Sequence, residues 1–119
     1  MPKVIGIIGS RRRNTIEDYN KTLIAFEKQY FVGDTIVSGG CPKGGDLFAE
    51  VIAQRFNIDI KIHPAEWDKY GRGAGFKRNG LIALDADILI VVASDDRTGG
   101  TEDTIRKFTK LGKTQLILV

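Results

Sequence analysis

Short apolar runs alternate with segments of helical periodicity along the 119-residue chain, and no other feature of the sequence restricts the fold so tightly. Residues 4–8, 35–38, 58–62, 87–92 and 115–119 read as strands. The first is continuously apolar and the fourth is the most hydrophobic, as expected of strands covered on both faces. Four helical segments lie between them. Residues 15–30 repeat Ile16, Tyr19, Leu23, Phe26 and Tyr30 at helical spacing, with Thr15 as N-cap and Asp18 completing an imperfect capping box. Residues 46–56 are expected to turn Leu47, Val51, Ile52 and Phe56 inward. Residues 76–84 read as helical despite Gly80, and residues 101–111 as a helix burying Ile105, Phe108 and Leu111 before Gly112 ends it. Strict alternation of strand and helix implies right-handed crossovers and a parallel sheet. The expected architecture is therefore α/β: a Rossmann-like three-layer sandwich with five parallel strands in the order 3-2-1-4-5, one domain over residues 1–119.

Charge and composition narrow the partners. No apolar run approaches the roughly 20 residues that span a bilayer. The three arginines at 11–13 follow the first apolar run, whereas a secretory signal puts its basic residues first, so the expected location is cytoplasmic. Cys41 is the one cysteine, which excludes an internal disulfide. His63 is the one histidine, too few ligands for a His/Cys zinc site, and no metal is expected. The net charge of +3 suits an anionic ligand but is too mild to argue for nucleic acid.

The 14 glycines carry the main functional signal through their positions. Gly9-Ser10-Arg11 follows the first strand. Ser38-Gly39-Gly40-Cys41-Pro42-Lys43-Gly44-Gly45-Asp46 follows the second, and Thr98-Gly99-Gly100-Thr101 follows the fourth. In the expected topology all three loops share one edge of the sheet, at the switch point where ligands of such sheets bind. Two of them run into helix starts, whose unpaired N–H groups and partial positive charge attract phosphate. Arg11 and Arg78 can add bidentate contacts, and the Thr101 hydroxyl can cap its helix or meet a phosphate oxygen. The spacing is neither the G-x-G-x-x-G dinucleotide fingerprint nor a P-loop.

Other residues keep two readings. Asp46 is either a helix cap or a partner for a ligand hydroxyl. Arg12 and Arg13 read as solvated, Cys41 as a small loop residue in preference to a reactive thiol, and His63 as a satisfied structural histidine. Trp67 and Tyr70 either stack on a base or pack the long loop of residues 63–75 against the sheet. Asp95, Asp96, Glu102 and Asp103 form an acidic cluster that is either a solvated loop or a site for ribose hydroxyls or Mg²⁺.

The three loops, together with Pro64-Ala65-Glu66-Trp67-Asp68-Lys69-Tyr70-Gly71 and Ala74-Gly75-Phe76-Lys77-Arg78-Asn79, resemble the YspA-like family of the SLOG superfamily, also known as a domain of unknown function. The resemblance runs nearly end to end. The superfamily is Rossmann-like and includes the cytokinin-activating LOG enzymes and the DNA-processing protein DprA. The resemblance implies a nucleotide-type ligand, such as an NAD- or ADP-ribose-like molecule, bound or sensed in the loops. It implies a site of Gly9, Ser10, Arg11, Gly39, Gly40, Gly44, Asp46, Arg78, Asn79, Gly100 and Thr101, to which Ser38, Trp67 and Gly99 are added from the loop reading. LOG enzymes carry P-G-G-x-G-T-x-x-E with a catalytic glutamate, and Thr104 stands at that position here. A phosphoribohydrolase acting on nucleoside 5′-monophosphates is the alternative, with Glu102 and Asp103 as candidate catalytic acids. DprA-like binding of single-stranded DNA is a weaker one. Gly45 stands where relatives usually have Ala, which reads as a mild change. A homo-oligomer, dimer or larger, is expected; a membrane partner is not.

Overall fold

The computed structural model describes residues 1–119 and contains one five-stranded parallel sheet in the order β3-β2-β1-β4-β5. The strands are β1 (Val4–Gly9), β2 (Thr35–Ser38), β3 (Ile60–Ile62), β4 (Ile88–Val92) and β5 (Leu116–Leu118). The main helices are α1 (Ile16–Gln29), α2 (Gly45–Phe56), α4 (Ala74–Asp85) and α5 (Gly100–Lys110). A single helical turn, α3 (Trp67–Tyr70), and a 3₁₀ turn (Gly71–Gly73) precede α4. The α/β class and strand order are those expected from the alternation of elements. No helix is long and apolar enough to cross a membrane.

β1 lies at the centre. It pairs with β2 through Ile5↔Ile36 and with β4 from Ile5↔Ile88 to Gly9↔Val92. Burial on both faces explains its unbroken apolar run and that of β4, all of whose residues are buried. On one face Ile5, Ile7, Ile36 and Ile90 pack against Phe26 of α1 and Ala49, Ile52 and Ala53 of α2. On the other, Ile8, Val37, Leu89 and Val91 pack against Ile82 and Ala83 of α4 and Ile105 and Phe108 of α5. Each fully buried Ile or Phe contributes roughly 1.5–3 kcal/mol, so these two layers dominate the stability.

Several local expectations are corrected. Ile16 is exposed, because it begins α1 beyond the edge of the core, and Thr22 is buried instead, its hydroxyl donating to the Asp18 carbonyl at 2.7 Å. The capping box at Thr15 is complete in both directions. In α2, Val51 and Phe56 are exposed and the inward face is Phe48, Ala49, Ile52 and Ala53. Small alanines let the helix lie close to the sheet and so choose the face, a preference that an apolar count underrates. Leu111 is exposed because α5 ends one residue before it. Gly112 has φ +82, the left-handed value expected of a helix stop. β3 begins at Ile60 and not at 58, since the Ile58 N–H still closes α2 by donating to the Ala53 carbonyl at 2.8 Å.

Candidate functional site

All strands of a parallel sheet end at one edge, and the loops after β1, β2 and β4 meet there around a cavity of about 360 Å³. That volume lies within the usual range for small-molecule sites. Of the residues expected from sequence, Gly9, Ser10, Arg11, Asp46, Arg78, Asn79, Gly99, Gly100 and Thr101 line it. Ile8, Arg12, Cys41, Ile82, Thr98 and Thr104 line it as well. Ser38, Gly39, Gly40 and Gly44 are not part of the lining; Ser38, Gly39 and Gly44 brace the loops around it, and Gly40 packs against Ile62. The Ser38 hydroxyl donates to the Ile7 carbonyl at 2.6 Å, joining β2 to β1. The Gly39 carbonyl accepts the Arg78 guanidinium at 2.9 Å. A Cβ on Gly39 would come within 2.6 Å of Arg78 Nη1, so glycine is what lets this arginine reach the loop. Trp67 stands apart from the cavity, largely exposed, with its ring against Gly75.

The loops brace one another. The Ser10 N–H donates to the Val92 carbonyl at 2.9 Å. Asn14 Oδ1 accepts the Gly44 N–H at 2.8 Å, tying the loop after β1 to the start of α2. Arg12 and Arg13 are not simply solvated. Arg12 makes a two-bond ion pair with Asp96 at 2.9 and 2.7 Å, which links the loops after β1 and β4. Hydrogen bonds from Arg12, then Thr98 and Ser94, hold the Asp96 carboxyl well below the usual carboxylate range. Arg13 is half-buried, bonded to Asp18 and to the carbonyls of Ala93 and Val119. Arg11 alone of the three makes no ion pair and no side-chain hydrogen bond.

Buried polar groups hold the opposite wall. Asn79 donates to the Gly100 carbonyl at 3.2 Å and to Asp103 at 3.1 Å, and accepts Arg78 Nε at 3.0 Å. It therefore sets the distance between α4 and α5. Asp46 is buried and lines the cavity, with its carboxylate accepting the Cys41 N–H at 3.2 Å. Burial pushes this carboxyl above its ordinary value, against the opposing pull of the Cys41 amide and Arg78. Asp46 does not cap α2, whose N-cap is Gly44.

At the start of α5 no side chain caps the helix, and Gly99, Gly100 and Thr101 face the cavity. The N–H groups of a first helical turn have no partners within the helix, so this is the natural seat for an anion. The acids beyond it are engaged elsewhere. Glu102 pairs with Arg97 at 2.7 Å. Asp103 bonds Asn79 and Lys107. Burial works against Asp103 ionisation, yet those bonds leave its carboxyl below the ordinary value. Neither acid lines the cavity, whereas Thr104 does. No three His, Cys, Asp or Glu side chains come together in a metal-binding group. His63 is held by Asp85 at 2.6 Å, the satisfied partner expected of a structural histidine.

Arg12, Thr98 and Thr104 were the residues least visible in the sequence. Arg12 reads in the sequence as a solvated neighbour of Arg11, and threonines in loops and helix starts carry no signal without the topology.

Among solved structures, the fold is similar to that of the molybdenum cofactor binding protein from the phototrophic bacterium Rippkaea orientalis. The TM-score is 0.74 with 21% sequence identity, over 99% of this chain and 76% of that one. The likeness establishes the shared fold. No family model matches the sequence, and no curated protein matches it.

Proposed function

We propose that the chain is a SLOG-type module that binds a phosphorylated, nucleotide-type small molecule in this cavity and senses or sequesters it by occupancy. The observation that carries the reading is the uncapped start of α5 facing the same cavity as Arg11, a cation that no protein carboxylate neutralises. A phosphate seated there accepts backbone N–H bonds and the guanidinium together. Asp46, on the same cavity, is then available to a ligand hydroxyl. Hydrolysis is no part of the proposal, because Glu102 and Asp103 are engaged by Arg97 and by Asn79 and Lys107.

The test is calorimetry and thermal shift with AMP, cyclic nucleotides, NAD and ADP-ribose. Molybdenum cofactor joins the panel because the structural neighbour is named for it. At least one compound is expected to raise the melting temperature. Arg11→Ala is expected to weaken that binding about tenfold while leaving stability unchanged. A panel without effect, or an Arg11→Ala variant that binds like the unmodified protein, would falsify the reading.

A further inference from the structure

Arg78 lines two cavities. Besides the first, it borders a groove of about 330 Å³ formed by the loop after β3, α3 and the start of α4. The loops after β1, β2 and β4 contribute no residue to this groove. Its wall is an aromatic ring dressed with cations: Lys77 Nζ lies 4.4 Å and Lys69 Nζ 5.1 Å from the centre of Tyr70. Contacts of this kind attract an ammonium to the ring face and position it. Neither lysine has a carboxylate partner within ion-pair distance. Of the other charged groups there, Glu66 is the one acid on the lining, and His63 is already held by Asp85. Three cations, Lys69, Lys77 and Arg78, therefore face a groove that holds one carboxylate.

We infer that this groove is a second anion subsite, joined to the first through Arg78, and that the ligand class is a small molecule with two separated phosphate groups, of dinucleotide type. The inference rests on the proposed function for its first half. Arg78 serves both halves: its bond to the Gly39 carbonyl fixes the guanidinium between them. A mononucleotide fills only the cavity at α5. A two-phosphate ligand reaches Lys69 and Lys77 as well.

Titration of the ¹⁵N-labelled protein with inorganic phosphate separates the two claims. The expected result is two groups of shifting amides, Gly100 and Thr101 in one, Tyr70 and Lys77 in the other. Shifts in the first group alone overturn the second subsite and leave the proposed function standing. Shifts in the second group alone overturn the proposed function and with it the joined site. No shifts overturn both. The double variant Lys69→Ala/Lys77→Ala changes exposed side chains only, and is expected to weaken a cyclic dinucleotide, whose two phosphates are held apart by its sugars, about tenfold while leaving AMP unaffected. Unchanged affinity for the cyclic dinucleotide, or an equal loss for AMP, rejects the second subsite.

Discussion

The starts of α2 and α5 look alike in sequence and differ in what surrounds them. Each follows a strand at the same edge of the sheet, and each has a glycine N-cap with positive φ, +76 at Gly44 and +92 at Gly99. At α2 the protein has closed the space itself. A Cβ on Gly45 would sit 2.3 Å from the Ile8 carbonyl oxygen and 2.4 Å from the Gly9 nitrogen. The Gly44 N–H is bonded to Asn14, and the Asp46 carboxylate accepts the Cys41 N–H. At α5 the space is open. A Cβ on Gly99 would meet nothing within 4 Å, and one on Gly100 only Asn79 at 3.7 Å. A glycine pair before a helix thus has two physical causes: the approach of one backbone to another, or room kept clear for something else. Only the second recommends a binding site.

The largest effect is expected of Gly45→Ala. The added methyl strikes backbone that cannot move without parting α2 from β1, and overpacking of this kind costs about 3 kcal/mol. Thermal or urea unfolding measures it. Unchanged stability would mean that α2 is not seated on β1 as described, and would restore the mild reading of this position. Next is Asn79→Ala, which leaves Asp103 and Arg78 each short of a partner. The expected loss is about 2 kcal/mol by urea denaturation, accompanied by weaker ligand binding. If affinity stays the same, the spacing of α4 and α5 does not govern the cavity.

Gly100→Ala is the converse of Gly45→Ala. It is expected to leave stability within about 0.5 kcal/mol. Ligand affinity falls about tenfold, close to 1.4 kcal/mol, by calorimetry. A fold that suffers as much as in Gly45→Ala would erase the distinction between the two starts. The smallest effect belongs to Asp46→Asn. The folded-state pKa of Asp46 is raised by burial, so its ionised form is disfavoured by folding. That cost is present at neutral pH and disappears as pH falls through the raised value towards the ordinary one. The variant is therefore expected to be more stable than the parent at neutral pH, by under about 1 kcal/mol. The gap closes near about pH 4. A gap that widens on acidification would contradict the assignment.

Much of the fold was readable because its signals are periodic and topological. Unbroken apolar runs at β1 and β4 mark covered strands, and alternation with helices fixes handedness and strand order. Which way a helix faces was harder. Val51 and Phe56 outweigh Ala49 and Ala53 by hydrophobicity, yet the alanines are the residues that fit against the sheet. At the site, the loops declared themselves through glycine, and nine of the expected residues do line the cavity. Arg12 did not, because its partner Asp96 is 84 positions away and the pairing exists only once β1 and β4 are adjacent. The difference between Gly45 and Gly100 was equally hidden: a missing side chain does not say what would have collided with it.

The contact between β1 and α2 bears on how such a chain can diversify. Gly45 would meet the β1 backbone, and Gly9 would meet Val92 at 2.6 Å, so neither position admits even one extra carbon while its neighbour stays put. Gly100 and Arg11 carry no such burden. Inheritance can therefore rewrite the mouth of the pocket one residue at a time while the seam beneath it stays fixed, and descendants of one scaffold can come to hold different molecules without first learning to fold again.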